Sequence, residues 1–308
     1  MLLRGNLAVL YDAVEPEVRG HNFHGQSPSY PFYRDGRLFF RMWGGFGMGD
    51  FSTLFVYDEE RRLVRPVAAA GVIQPWMRKK FNLPDSERCF AWTDLNDDGR
   101  LHADELATGK LDGLGAVWGV QMNRDFELAF SNVHGDIGIA FFHVDRLTEQ
   151  GYPVWRIPEA YVPVPRLTAH DPNQVQAVAV DASGNAIGVA PYLFSLSPEG
   201  KLNWRYKVRW PGLHSGLSSS AFGTEPGVMI APLRIWGIVP VNEKVGEVIA
   251  IGSNYGVADL FTADGMYIGR SFRDSRSGLA WRFNSEPTSA QLADTSLGQE
   301  HFGGTFQR

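Results

Sequence analysis

Short apolar or alternating runs, hinged in pairs on Asp-Gly, Gly-Asn or Glu-Gly, most restrict how this chain folds. Tyr30–Trp43 (YPFYRDGRLFFRMW) reads as two strands around Asp35-Gly36. Val175–Val189 turns at Ser183-Gly184-Asn185, Leu193–Val208 at Glu199-Gly200, and Val257–Phe272 at Asp264-Gly265. These dipeptides tolerate the positive φ that a tight hairpin needs. The 34 glycines and 18 prolines are spread along the whole chain, as many short strands with many turns require. Helical periodicity is scarce and falls at Trp76–Phe81, His102–Thr108 and Thr288–Leu292. The chain therefore reads as all-β.

The hairpins group near Tyr30–Val72, Phe90–Val162, Val175–Trp210 and Gly227–Phe272. A further group is shared between the ends, where Asn6–Tyr11 could complete a sheet with the closing HFGGTFQR. Such spacing suits a β-propeller of about five to six blades, because radial repetition stacks small sheets. No clean sequence repeat supports it, and a large β-sandwich is the rival. With no linker in view, residues 1–308 are expected to form one domain. A chain of 308 residues buries roughly three quarters of its unfolded surface and needs no staples.

The net charge is -5 and no basic stripe appears, so nucleic acid is not an expected partner. No apolar run is long enough to cross a bilayer, so no membrane insertion is expected. The opening MLLRGNLAVLYDAVEPEV has its apolar stretch broken by Arg4, Gly5 and Asn6, and does not read as a signal peptide. The single cysteine, Cys89, is expected as a small buried apolar residue. A monomer is expected.

Asp94–Glu105 reads DLNDDGRLHADE and matches the twelve-residue EF-hand loop, in an insert spanning about residues 88–110. Asp94, Asn96 and Asp98 take positions one, three and five. Gly99 takes the sharp turn, Arg100 offers its backbone carbonyl and Leu101 is the aliphatic anchor. His102 sits where contact commonly runs through water, and Glu105 has the reach for a bidentate carboxylate. A hard cation such as Ca2+ wants six to eight oxygens. Carboxylates this close repel one another unless a cation lies between them. The flanks differ from a standard EF-hand: CFAWT before the loop reads as a strand, and HADELATG after it as about one helical turn. A structural clamp is expected rather than a switch, since switching needs a paired helix.

WTDLNDDGRLHADEL (Trp92–Leu106) resembles an insert of bacterial exported β-propeller proteins, loosely related to NHL and PQQ-like repeats. DLFTADGMYIGRSFRD (Asp259–Asp274) and GQEHFGGTFQR (Gly298–Arg308) look like late-blade segments of such proteins. The resemblance implies a propeller fold and an extracytoplasmic (periplasmic or secreted) habitat. It implies no agreed activity.

Among the eight histidines, His24, His134, His214 and His301 sit beside glycine or serine in expected loops of different sheets. In a propeller such loops can meet near the axis, where imidazoles hold a transition metal or act as acid and base. Asp136 beside His134, Asp171 beside His170 and Glu300 beside His301 are neighbouring carboxylates, although adjacent side chains usually point apart. The 9 tryptophans and 20 phenylalanines suit sugar stacking as well as packing, with Trp43 in MWGGFGMGDF as the exposed-loop candidate. Two functions follow. One is a calcium-stabilised propeller binding a glycan or protein; the alternative is a carbohydrate-active lyase or hydrolase with a histidine and carboxylate site at the propeller mouth.

Overall fold

The computed structural model describes residues 29–41, 51–60, 62–116, 119–132, 136–165, 175, 177–189, 192–210, 228–230, 232–253 and 258–271. The first sheet runs in simple chain order: β1 (Ser29–Arg34), β2 (Arg37–Arg41), β3 (Phe51–Asp58), β4 (Leu63–Val72), β5 (Cys89–Thr93) and β6 (Leu106–Gly109). The β1–β2 turn places Asp35 at φ 48 and Gly36 at φ 75, the two left-handed residues of a two-residue hairpin. Helix α1 (Pro75–Phe81) opens on proline and ends at Asn82, left-handed at φ 50.

The chain continues through β7 (Leu114–Gly115), β8 (Val120–Gln121), β9 (Leu128–Asn132), β10 (Gly138–Phe142), β11 (Val144–Leu147), β12 (Pro153–Trp155) and β13 (Val162–Pro163). Four of these form a second sheet in the order β13-β10-β9-β7, while β11 and β12 pair as a ribbon. The third sheet follows with β14 (Ala177–Val180), β15 (Ala186–Val189), β16 (Tyr192–Leu196), β17 (Leu202–Trp210) and β18 (Val228–Ile230). It borrows β8 as an edge, parallel to β14. The fourth sheet is β19 (Pro232–Asn242), β20 (Gly246–Ser253), β21 (Ala258–Thr262) and β22 (Tyr267–Ser271).

Period-two alternation stacks these sheets face to face. In β14, Val178 and Val180 join a core shared with the first and second sheets, whereas Ala177 and Ala179 face Ile235, Ile249 and Phe261 of the fourth. In β5, Cys89 and Ala91 enter the shared core, while Phe90 and Trp92 pack outward with Met77 of α1 and Leu101 of the acidic loop. β3 and β4 are buried on both faces along most of their length, taking Ser52, Thr53 and Arg65 inside with their apolar neighbours. Successive sheets of mostly chain-neighbouring strands, packed face to face, make this an all-β fold of propeller type.

A repeat that the sequence concealed lies in the turns. Among the described residues, turns beginning at Asn123, Thr148, Asp181, Ser197 and Thr262 share one hydrogen-bond plan. The first residue's N–H donates to the carbonyl four residues on, and its own carbonyl accepts from the N–H three residues on. Its side-chain oxygen accepts the N–H four residues on: Glu127, Tyr152, Asn185, Lys201 and Met266. The fourth residue is left-handed: Phe126 (φ 67), Gly151 (φ 78), Gly184 (φ 81), Gly200 (φ 86) and Gly265 (φ 93). The shared pattern is a short acceptor side chain, two free positions and usually glycine, too sparse to stand out as a repeat.

Two expectations are amended. Phe90 opens no second group: β5 returns antiparallel on β4, with Val72 opposite Cys89 and Ala68 opposite Thr93. Helix α1 fills that return rather than marking a boundary. Of the expected helical turn, only a 3₁₀ turn at Ala103–Glu105 forms, at the end of the loop, because Leu106–Thr108 must extend to pair with β5. The acidic loop is thus the connection between two paired strands. The expected helix at Thr288–Leu292 and the strand at Asn6–Tyr11 lie outside the described residues.

Candidate functional site

The acidic loop leaves β5 at Asp94, which is completely buried and whose N–H donates to the Val67 carbonyl at 2.9 Å. The Asp94 carboxylate gathers the far side of the loop. Its Oδ1 accepts the Asp98 N–H at 3.0 Å, and its Oδ2 accepts the Gly99 N–H at 2.9 Å. Asn96 Oδ1 also accepts from Asp98 N–H at 3.0 Å, and Asp98 Oδ1 accepts from Arg100 N–H at 2.8 Å. Gly99 turns the chain at φ 74, with Asp97 left-handed before it at φ 63. Leu101 is 3% exposed and plugs the outer core, which anchors the loop's middle.

Glu105 reaches back across the loop. Its Oε1 accepts N–H groups of Leu95 at 2.8 Å and Asn96 at 3.2 Å, and its Oε2 accepts Trp92 Nε1–H at 3.0 Å. The register of β5 and β6 makes this reach: Leu106 lies opposite Trp92, so the preceding Glu105 overhangs the loop entrance. His102 Nε2 lies 2.8 Å from Asp98 Oδ2.

A cation from another strand enters this cage. Arg65 of β4 is 7% exposed. Its Nη1 donates to Asp94 Oδ2 at 2.8 Å, and its Nη2 donates to Asp97 and, at 2.9 Å, to the Tyr152 hydroxyl. That hydroxyl donates to Asp97 Oδ1 at 2.9 Å and accepts from Arg37 Nη2 at 3.0 Å. Both guanidinium groups lie over the Tyr152 ring, 5.0 Å away for Arg37 and 5.8 Å for Arg65. A cavity of about 390 Å³ opens beside this hub, lined in part by Arg37, Tyr57, Asp58, Arg65 and Asp97.

The electrostatics single out Asp94. Burial pushes its carboxyl up to about 6, against the Gly99 N–H and the Arg65 charge that favour the anion. Burial also works against Asp97, but hydrogen bonds from Arg65 and Tyr152 hold its carboxyl below the usual range. Asp98 behaves similarly, with His102 and the Arg100 N–H overcoming the smaller burial. Of Asp94, Asp97 and Asp98, burial therefore weighs most on Asp94, even with Arg65 beside it.

The donor set suits a hard cation. Asp94, Asn96, Asp98 and Glu105 present oxygens, and Oδ1 of Asp94 and of Asn96 each accept one hydrogen bond, so lone pairs remain. Against this, no group of three or more His, Cys, Asp or Glu side chains is gathered for a metal among the described residues. Arg100 contributes its N–H to the loop's closure.

Of the catalytic candidates, His24, His134, His214 and His301 lie outside the described residues, as does Trp43. Asp136 is exposed, and its carbonyl accepts from the Asn132 amide. A different pair was missed: His143 Nδ1 lies 2.7 Å from Glu127 Oε2, and Glu127 Oε1 accepts the Val144 N–H at 3.1 Å. The hydrogen bond to Glu127 raises the His143 pKa against its burial. The available signal was hairpin register. Leu128 pairs with Phe142, so the residues just outside that pair must face each other. Arg65 was also missed, since nothing in its sequence neighbourhood points to a loop beyond the next turn and helix.

No known family profile matches the chain, and no curated protein matches it. Among solved structures, AztD of Citrobacter koseri is similar at 11% identity and a TM-score of 0.39, covering 80% of this chain and 58% of that one. This chain thus spans less than two thirds of the AztD length. A virginiamycin B lyase from Staphylococcus aureus is similar at 10% identity and a TM-score of 0.33, covering 77% of this chain and 69% of that one. A putative gluconolactonase is similar at 11% identity and a TM-score of 0.34, covering 77% and 73%.

Proposed function

We propose that this protein is a binding module of propeller type, clamped by a calcium ion in the Asp94–Glu105 loop, with a glycan as its ligand. The observation that carries the clamp is the turning of the loop. Backbone N–H groups hold the Asp94, Asn96 and Asp98 oxygens around left-handed Gly99, and Glu105 returns over the entrance. Asp94, Asn96, Asp98 and Glu105 would hold the ion, with the Arg100 carbonyl. A bound divalent charge would add to the single positive charge that Arg65 already sets beside Asp94. An extracytoplasmic location suits such a loop, since calcium sites of extracellular modules work on the order of 10⁻⁴ to 10⁻³ M.

The glycan reading draws on the cavity beside Arg37. About 390 Å³ falls within the size of small-ligand pockets. Its charged lining, with Tyr57 beside it, offers donors and acceptors for a polyol. A histidine-based enzymatic site would need His24, His134, His214 and His301 to converge, and these lie outside the described residues.

Thermal unfolding in calcium and in chelator tests the clamp. Calcium at about one hundred times its Kd should add roughly 2.7 kcal/mol to the native state. That is a rise of several degrees in Tm, and Glu105→Ala should remove most of it. Identical curves in calcium and chelator would sink the clamp. Titration with mono- and oligosaccharides followed by calorimetry tests the ligand.

A further inference from the structure

We propose that Arg65 is a resident cation of the acidic loop, holding it folded without metal and reducing what calcium adds. The inference rests in part on the calcium reading, but its own foundation is geometric. Arg65 grips the loop at two points of different kind. Asp94 is a first-position oxygen donor, and Asp97 stands at the fourth position, which contributes no ligand in loops of this type. Arg65 takes Asp94 Oδ2, while Oδ1 serves the Asp98 N–H. The arginine thus neutralises the loop from β4 without taking Asp94 Oδ1, Asn96 or Asp98, whose oxygens accept backbone N–H groups instead.

Its position is also held from outside the loop. Arg65 sits in β4 opposite Val56 of β3, and its Nη2 is bound to Tyr152, which is fully buried. Tyr152 in turn holds Arg37. A planar guanidinium reaches Asp94 from Nη1 and Asp97 and Tyr152 from Nη2 in one fixed fork, a spread that the single nitrogen of an ammonium does not reproduce. A metal-free loop therefore keeps a positive charge at its most buried carboxylate, and calcium enters a frame already closed.

The full-length protein and Arg65→Met are compared in chelator and in calcium by two readouts. The first is hydrogen exchange of the Asp98 and Gly99 amides, both bound to Asp94. In chelator these amides should be protected in the parent and lose at least about tenfold protection in Arg65→Met, with calcium restoring it. The second is Tm. The calcium-induced rise in Arg65→Met should be at least about twice that of the parent, because calcium then relieves an unpaired buried carboxylate. Arg65→Lys should fall between the two.

Unchanged protection in chelator would overturn the proposal whatever calcium does. An equal calcium rise in both proteins would overturn it while leaving the clamp standing. A rise confined to the variant would mean that arginine has replaced the metal in the parent, which supports the proposal and sinks the clamp. If Arg65→Met does not fold, Tyr152→Phe removes the hydroxyl that accepts from Arg65 and Arg37 and donates to Asp97, without altering charge. It should show the same trends at reduced size, and a Tyr152→Phe protein matching the parent in both readouts would overturn the proposal.

Discussion

Two turns of this molecule begin with a buried aspartate accepting backbone N–H groups, and they solve the charge problem differently. Asp181 opens a five-residue turn; its Oδ1 accepts the N–H groups of Ser183 and Asn185, each at 2.9 Å, and the Asn185 amide completes the set. No cation is among these partners, and burial raises its carboxyl pKa. Asp94 opens the twelve-residue loop with the same local chemistry, but Asp97, Asp98 and Glu105 crowd behind it and Arg65 is drawn in. One acid can be held by dipoles alone. Several acids closing one loop require a formal positive charge, from arginine or from a metal.

Removing each aspartate is the strongest way to break this comparison. Asp94→Ala leaves Arg65 buried with a lost partner and frees the Asp98 and Gly99 N–H groups, so about 3–5 kcal/mol of stability should go. Asp94→Asn should recover little of that, since the amide cannot pair with the guanidinium charge. Asp181→Asn should cost under about 1 kcal/mol, because a neutral carbonyl oxygen still accepts both N–H groups. Denaturant unfolding of the three variants checks the order. Equal costs for the two Asn variants would erase the distinction.

Glycine substitutions sharpen it within the short turns. A Cβ on Gly265 (φ 93) would stand 2.4 Å from Trp204 Cγ, whereas Gly184 (φ 81) has nothing within 4 Å. Gly184→Ala should cost about 1–2 kcal/mol of backbone strain alone. Gly265→Ala should cost about 1–3 kcal/mol more, as the indole must move.

The smallest effect concerns the other carboxylate partnership, His143 with Glu127. The folded pKa of His143 is raised, so its contribution is complete below the unfolded value of about 6.5. It is lost as pH rises through the folded value. Titration by NMR should show the His143 ring above about 6.5, falling toward it in Glu127→Gln. A ring titrating below that value in the parent would contradict the pair.

The turns were legible because their chemistry is local. Asp35-Gly36, Gly184 and Gly265 announce left-handed backbone from two letters of sequence, and each hairpin read from them forms where expected. The loop's oxygens were legible for the same reason. Asx-type hydrogen bonds reach only two to five residues, as those from Asp94, Asn96 and Asp98 do. Less legible was where one sheet ends. A helix between Val72 and Cys89 resembles a boundary, yet the backbone returns to the same sheet with Ile73 N–H bonded to the Arg88 carbonyl at 2.9 Å.

By itself, then, the sequence determined a chain of short strands with a loop rich in acid oxygens at fixed spacing. Only tertiary structure decided which cation meets them. Arg65 stands 29 residues before Asp94, and Tyr152 lies 55 residues beyond Asp97. Strand pairing and sheet packing bring them together, and neither leaves a trace in the spacing of the loop. Charges interact through space, and proximity in space is set by the register of β4 against β5.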